Sequence, residues 1–235
     1  MNLQTSVFKF RVAWGMLTRK PLPIRLRDEF NLWAGNGRGE RMEREHRPFT
    51  ERIFSQIQFR ADDRILDLAC GEGWASRLLA TSIPHDVEIT GVDISDEMIR
   101  RAAAKSCAFP NMAFCCGPAH SLSFPPESFT KAFCIESFYY FENQELVLRE
   151  LKRVLRPGGE LFLVFCLYQQ NPGSFGFLNW VRVPVHVRAI AEYERMLENE
   201  GWTEVEAEEL VSDEISHNGP GFHDRALCLR ARKPL

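Results

Sequence analysis

The chain has 235 residues, of which 45% are hydrophobic and 26% charged, and it carries a formal net charge of −3. That length supports one large domain with a full core, the composition excludes wholesale disorder, and the slightly negative balance gives no reason to expect nucleic acid as a partner. No apolar run approaches the ~20 residues of a membrane span, and Lys9, Arg11 and Arg19 interrupt any secretion signal, so a cytoplasmic location is expected.

Residues 1–27 hold six Lys/Arg and no Asp/Glu, and "VFKFRVAWGML" interleaves aromatics with cations. Such a segment is either a helix packed on its own domain, the favoured reading, or a weak contact with an anionic membrane surface. "FNLWAGNGRGERMEREHRPFTERI" (30–53) has glycines at 35, 37 and 39, but no strand precedes them, so they do not form a nucleotide loop.

From residue 50 onward, short apolar runs alternate with helical patterns, the mark of βαβ units on a parallel sheet. "RILDLAC" (64–70) reads as a strand and is followed by a helix over about 74–81. "VEITGVD" (87–93) is a second strand, and "SDEMIRRAAAKS" a helix capped by Ser95. "NMAFCC" (111–116) and "FTKAFCIES" (129–137) are the third and fourth strands. A helix over 143–155 ends at "RPGG", and "ELFLVFC" (160–166) is a fifth strand, apolar as a strand covered on both faces should be. The rhythm then breaks over an insert at 167–188. It resumes with the amphipathic helix "AIAEYERMLENEGW" and two closing strands around "SHNGPG".

The seven cysteines include no CxxC pair, so their spacing predicts no metal site, and most lie in strand-like runs where a thiol packs as a small hydrophobe.

The turn after the first strand, "LACGEG", is where a ligand docks in such a sheet. Gly71 and Gly73 allow close approach, and Asp93, twenty residues past Gly73, stands where an acid meets ribose hydroxyls. Yet Ser76 replaces the third glycine of a dinucleotide loop, and Asp67 would repel a pyrophosphate. A cationic ligand resolves the conflict: S-adenosylmethionine carries an ammonium and a sulfonium, a ribose and no phosphate.

With "ILDLACGEG" (65–73), "ITGVDIS" (89–95), "SLSFPPESFTKAFCIESFYYF" (121–141) and "LKRVLRPGGELFLV" (151–164) in order, the chain resembles the class I S-adenosylmethionine-dependent methyltransferases. The likeness is closest to their small-molecule branch, the ubiquinone/menaquinone-biosynthesis type. The resemblance implies an α/β, Rossmann-like sheet of seven mostly parallel strands, the last antiparallel, with helices on both faces. It divides the chain into a basic segment and lid (1–50) and a methyltransferase domain (51–235) with a substrate-side insert. Asp67, Ala69, Gly71 and Gly73 would line the methionine part of the cofactor. Asp93 would hold the ribose, Ile94 the adenine face, Ala119 and His120 the other adenine edge, and Glu136 would lie near the methyl group. In related methyltransferases the segment at 30–53 folds over the cofactor, and here Trp33, Met42 and His46 could reach the site; an ordinary capping helix is the competing reading.

Three residues depart from the family pattern. Ala69 replaces the usual first glycine, at the cost of one methyl of clearance. Pro118 stands where an Asp usually accepts from the adenine amino group, and Thr130 stands where an Asp often begins the fourth strand. Candidate bases are His186 in the insert and Glu136 with Tyr139 and Tyr140 after the fourth strand. Phe175, Phe177, Trp180 and Trp33 suggest an aromatic-lined cavity for a small apolar or aromatic substrate. Two other functions compete: a cofactor-binding homologue without transfer activity, for which Pro118 speaks, and a nicotinamide oxidoreductase, against which Ser76 and Asp67 speak. Oligomeric state has no signal in the sequence.

Overall fold

A computed structural model describes residues 20–84, 86–179, 183–212 and 224–235, and for Phe177 the backbone alone. Helices α1 (Leu22–Ala34) and α2 (Arg38–Ser55) come first. Then follow β1 (Arg64–Leu68), α3 (Trp74–Ala80), β2 (Glu88–Asp93), α4 (Asp96–Lys105) and β3 (Met112–Cys116). The second half runs β4 (Phe129–Ile135), α5 (Gln144–Val154), β5 (Leu155–Phe165), α6 (Ser174–Leu178), α7 (Ile190–Asn199), β6 (Thr203–Val211) and β7 (Arg225–Arg232).

The seven strands form one sheet in the order β3-β2-β1-β4-β5-β7-β6. β7 runs antiparallel to both β5 and β6, whereas the pairs from β3 to β5 are parallel. The strand order reverses at β1, where adjoining connections pass to opposite faces and leave a crevice at the carboxyl ends.

Two apolar cores fill the two faces. Along β1, Leu66 and Leu68 face the core built with α1, α4, α5 and α7, while Ile65 faces the one built with α2 and α3. The same alternation along β4 and β5 explains why every residue of β4 is buried. α4 starts where Ser95 accepts the Met98 N–H at 3.1 Å, and α5 where Asn143 accepts that of Leu146 at 2.8 Å.

"RPGG" does end α5, but it does not separate it from the next strand. β5 begins at Leu155, with Phe129 opposite Leu155 and Lys131 opposite Glu160, so the four residues bulge out of the ladder. Backbone bonds to Lys233 from Gly158 N–H (3.0 Å) and from Lys233 N–H to Gly159 (2.9 Å) hold the bulge to the chain end. Gly158 takes φ 72°, a left-handed conformation that glycine adopts without cost.

Of the basic segment 1–27, residues 1–19 lie outside the described residues, and residues 22–27 open α1, where Leu26 packs into the core. Among the described residues, no helix is long and apolar enough to cross a membrane.

Candidate active site

The carboxyl ends of β1, β2 and β4 open on a cavity of about 350 Å³, and α1 and the start of α2 form its opposite wall. The turn after β1 makes the floor. Ala69, Gly71 and Gly73 all take positive φ, at 57°, 54° and 72°. At Ala69 the difficulty is therefore backbone conformation rather than one methyl of clearance. Gly73 has a second constraint, since a side chain there would meet the Phe114 ring at 2.9 Å. It shapes the turn from behind, whereas Asp67, Ala69 and Gly71 line the cavity.

Asp67 is buried, and its Oδ2 accepts the Ser76 hydroxyl at 2.5 Å. The serine that breaks the dinucleotide pattern is thus a support for this carboxylate. Burial, with the nearby Asp93 charge, pushes the Asp67 pKa up to about 7. Asp93 ends β2 and braces two turns, accepting from Gly71 N–H at 2.9 Å and Ser95 N–H at 2.8 Å. Burial raises its pKa against those bonds.

Ile94, Ala119 and His120 line the same cavity, as does Pro118. All the sequence-predicted cofactor positions except Gly73 are therefore brought together on one surface.

The candidate bases separate. Glu136 lines the cavity at the end of β4, itself at φ 54°. Its Oε2 accepts the Tyr139 hydroxyl at 3.1 Å and its Oε1 the Cys166 N–H at 2.8 Å. Tyr139 is buried behind it, and burial drives its pKa far upward, so it supports Glu136 without facing the cavity; Tyr140 is the tyrosine that does. His186 does not line the cavity; its backbone N–H donates to the Tyr139 carbonyl at 2.9 Å.

The aromatic wall also differs from expectation. Phe175 is 60% exposed and away from the cavity, while Trp180 and the side chain of Phe177 lie outside the described residues. Trp33 does line it, packed edge-on to Phe30 (5.1 Å) and near Tyr140 (6.3 Å), with the Arg38 guanidinium 3.5 Å above its ring. Among the described residues, the aromatic surface around Trp33 comes from α1 and from Tyr140, because α1 lies across the strand ends. Leu26, Phe30 and Arg38 were not singled out from the sequence; the i, i+4, i+7 spacing of Leu26, Phe30 and Trp33 on one face of α1 was the available signal, and Arg38, which opens α2, had none.

Residues 65–159 match the family described as a methyltransferase domain. Residues 65–159 thus carry a class I S-adenosylmethionine-dependent methyltransferase domain. Among curated relatives, the 27-O-demethylrifamycin SV methyltransferase of Amycolatopsis mediterranei is 34% identical over 128 residues, 53% of this chain and 46% of the relative. The demethylmenaquinone methyltransferase of Thermotoga maritima is 37% identical over 102 residues, 43% of each chain. The chain thus spans about half the length of these relatives. Among solved structures, a chain of the Haloferax volcanii complex between the Trm112 methyltransferase activator and a methyltransferase superposes with a TM-score of 0.81. It covers 88% of this chain and 98% of that one, at 23% identity, a likeness of fold.

Proposed function

We propose that this methyltransferase domain moves a methyl group from S-adenosylmethionine to a small apolar or aromatic molecule. Asp67 carries the reading. It is a buried carboxylate beside a bare-backbone turn, poised at about 7, and the groups that shift it are its own burial, Ser76 and a second carboxylate, with no cation among them. An ammonium placed there removes an electrostatic penalty, whereas a pyrophosphate would add one. Val92, Ile94 and Met98 offer an apolar slot for adenine between Asp93 and His120.

Bound in this cleft, S-adenosylmethionine supplies an electrophilic methyl group and a neutral thioether as leaving group. The protein's part is alignment and exclusion of water, worth up to ~7–11 kcal/mol in favourable cases. Leu26, Phe30, Trp33 and Tyr140 present an apolar wall to the acceptor, and Glu136 is the carboxylate placed to take a proton from it. Two relatives named for rifamycin and menaquinone intermediates support a small-molecule acceptor and favour the active reading over a silent homologue. Seven free cysteines support a cytoplasmic setting.

Calorimetry on the whole chain tests the cofactor: S-adenosylmethionine and S-adenosylhomocysteine should bind and NAD should not. Methyl-labelled cofactor incubated with metabolite extract should then yield a labelled, organic-soluble product. Preference for NAD, or cofactor binding with no labelled product from any extract, would overturn the proposal.

A further inference from the structure

Beside the cleft, three side chains distant in sequence converge in the interior. His46 comes from the middle of α2, Glu136 from the turn after β4 and Cys166 from the residue after β5. They are 2%, 4% and 0% exposed. One donor atom from each lies within 4.8 Å of the other two. We propose that His46, Glu136 and Cys166 are the protein ligands of one divalent transition-metal ion, zinc by donor chemistry, at the joint between the covering helix and the sheet.

The spacing carries the proposal. His46 Nδ1 lies 3.2 Å from Glu136 Oε1 and 3.6 Å from Cys166 Sγ. A tetrahedral zinc with ordinary bond lengths to nitrogen, oxygen and sulfur holds its N and O donors about 3.3 Å apart and its N and S donors about 3.5 Å apart. A mixed imidazole, carboxylate and thiolate set suits zinc better than magnesium or calcium, which take oxygen ligands. Three protein ligands leave a fourth position for water or another donor.

The supporting shell is also built. The Tyr139 hydroxyl fixes Glu136 Oε2 at 3.1 Å, and the Cys166 N–H steadies Oε1 at 2.8 Å. Hydrogen bonds of this kind orient metal ligands and tune affinity. Coordination would displace the Cys166 thiol proton to solvent and join a neutralising cation to a buried carboxylate. Because the ligands come from α2, β4 and β5, the ion would clamp the helix that walls the cleft. A zinc-bound Glu136 would leave proton removal from the acceptor to water or to no group at all, so the metal site does not rest on the base role given to Glu136 above.

The test uses the whole chain, stripped with chelator and reloaded with Zn²⁺ or Co²⁺. One Co²⁺ per chain should bind, with a near-ultraviolet thiolate charge-transfer band. Cys166→Ser should abolish the band, whereas Cys107→Ser, at an exposed cysteine, should keep it. His46→Gln and Glu136→Gln should each weaken Zn²⁺ binding by at least about a hundredfold, and Tyr139→Phe by about tenfold. X-ray absorption of zinc-loaded wild-type protein should show one sulfur near about 2.3 Å with nitrogen or oxygen neighbours near about 2.0 Å, which needs no variant to fold. No Co²⁺ band, a band surviving Cys166→Ser, unchanged affinity in His46→Gln, or a sulfur-free zinc shell would each overturn the site and leave a hydrogen-bonded triad.

Discussion

Ala69 shows how one residue can satisfy a motif at a cost. Its φ of 57° is a conformation that costs an L-residue about 1–2 kcal/mol, and glycine avoids that. Glycine in turn gives the unfolded chain more freedom, worth about 0.4–1 kcal/mol in the other direction. Ala69→Gly should therefore stabilise the fold by roughly 0.5–1 kcal/mol, read as a higher urea midpoint at unchanged slope. Asp67, two positions earlier, makes binding depend on pH. Its folded pKa of about 7 lies above the ordinary carboxylate value, so the folded state holds its proton more tightly than the unfolded one. Its contribution favours folding at low pH and is lost as pH rises from about 4 through about 7. Asp67→Asn should thus gain stability over wild type at pH 8, with the gain fading towards pH 4. Cofactor affinity has the opposite sign, since the cation needs the ionised carboxylate. Calorimetry should show S-adenosylmethionine binding tighten by up to about tenfold per unit between about pH 6 and 7, with proton release. Pro118 also lines the cavity. Pro118→Asp should tighten cofactor binding by about tenfold or more by offering the adenine amino group a charged acceptor; unchanged affinity would mean that His120 or backbone already serves it.

Among the elements, α1 decides the shape of the cleft. Asn31 ties it to the turn after β2, accepting the Ser95 hydroxyl at 2.5 Å and donating to Asp96 at 3.0 Å. The Trp33 indole donates to Glu29 at 2.8 Å, and its ring packs between Phe30, Tyr140 and Arg38. The connection from α1 to α2 is a tight turn: Gly35 sits at φ −75° as an ordinary cap, and Gly37 is left-handed, at φ 74°. Gly39 lies inside α2, where a side chain would meet Glu72 at 2.6 Å. Removing residues 1–19 should leave cofactor binding unchanged, whereas removing residues 1–37 takes away Pro23, Leu26, Phe30 and Trp33 from the wall and should weaken it at least about tenfold. Equal affinities for the two truncations would show that α1 takes no part in holding the ligand.

Across the whole molecule, the end of the sheet opposite the cleft is held by charge. The Asp63 side chain is fully buried and accepts Thr130 Oγ1 at 2.6 Å, with Lys131 Nζ at 3.4 Å; that lysine also reaches Glu160 at 2.8 Å. Burial alone would raise the Asp63 pKa, but the Thr130 bond, the Arg60 N–H and Lys131 bring it below the ordinary value. Thr130, where relatives of the resemblance often have an acid, is thus a partner for an acid on β1's approach. Lys131→Met strands a buried carboxylate and should cost about 3–5 kcal/mol in chemical unfolding while leaving cofactor affinity unchanged at temperatures where the protein stays folded. The succession of strands along the chain, the cofactor class and most residues that line the cleft were legible because they are local: apolar alternation sets each strand, Ser95 and Asn143 set helix starts, and the Asp67–Gly73 turn lies within seven residues of chain. What the sequence could not decide is everything that depends on one element lying over another. Whether Tyr139 or Tyr140 faces the cavity, whether α1 lies across the strand ends, and whether "RPGG" leaves the ladder are set by packing and strand pairing. The same holds for His46, Glu136 and Cys166, whose spacing along the chain carries no ligand pattern. Sequence determines local conformation through neighbours a few residues apart; only the packed sheet, by excluding water and fixing distances between remote residues, makes such side chains one site.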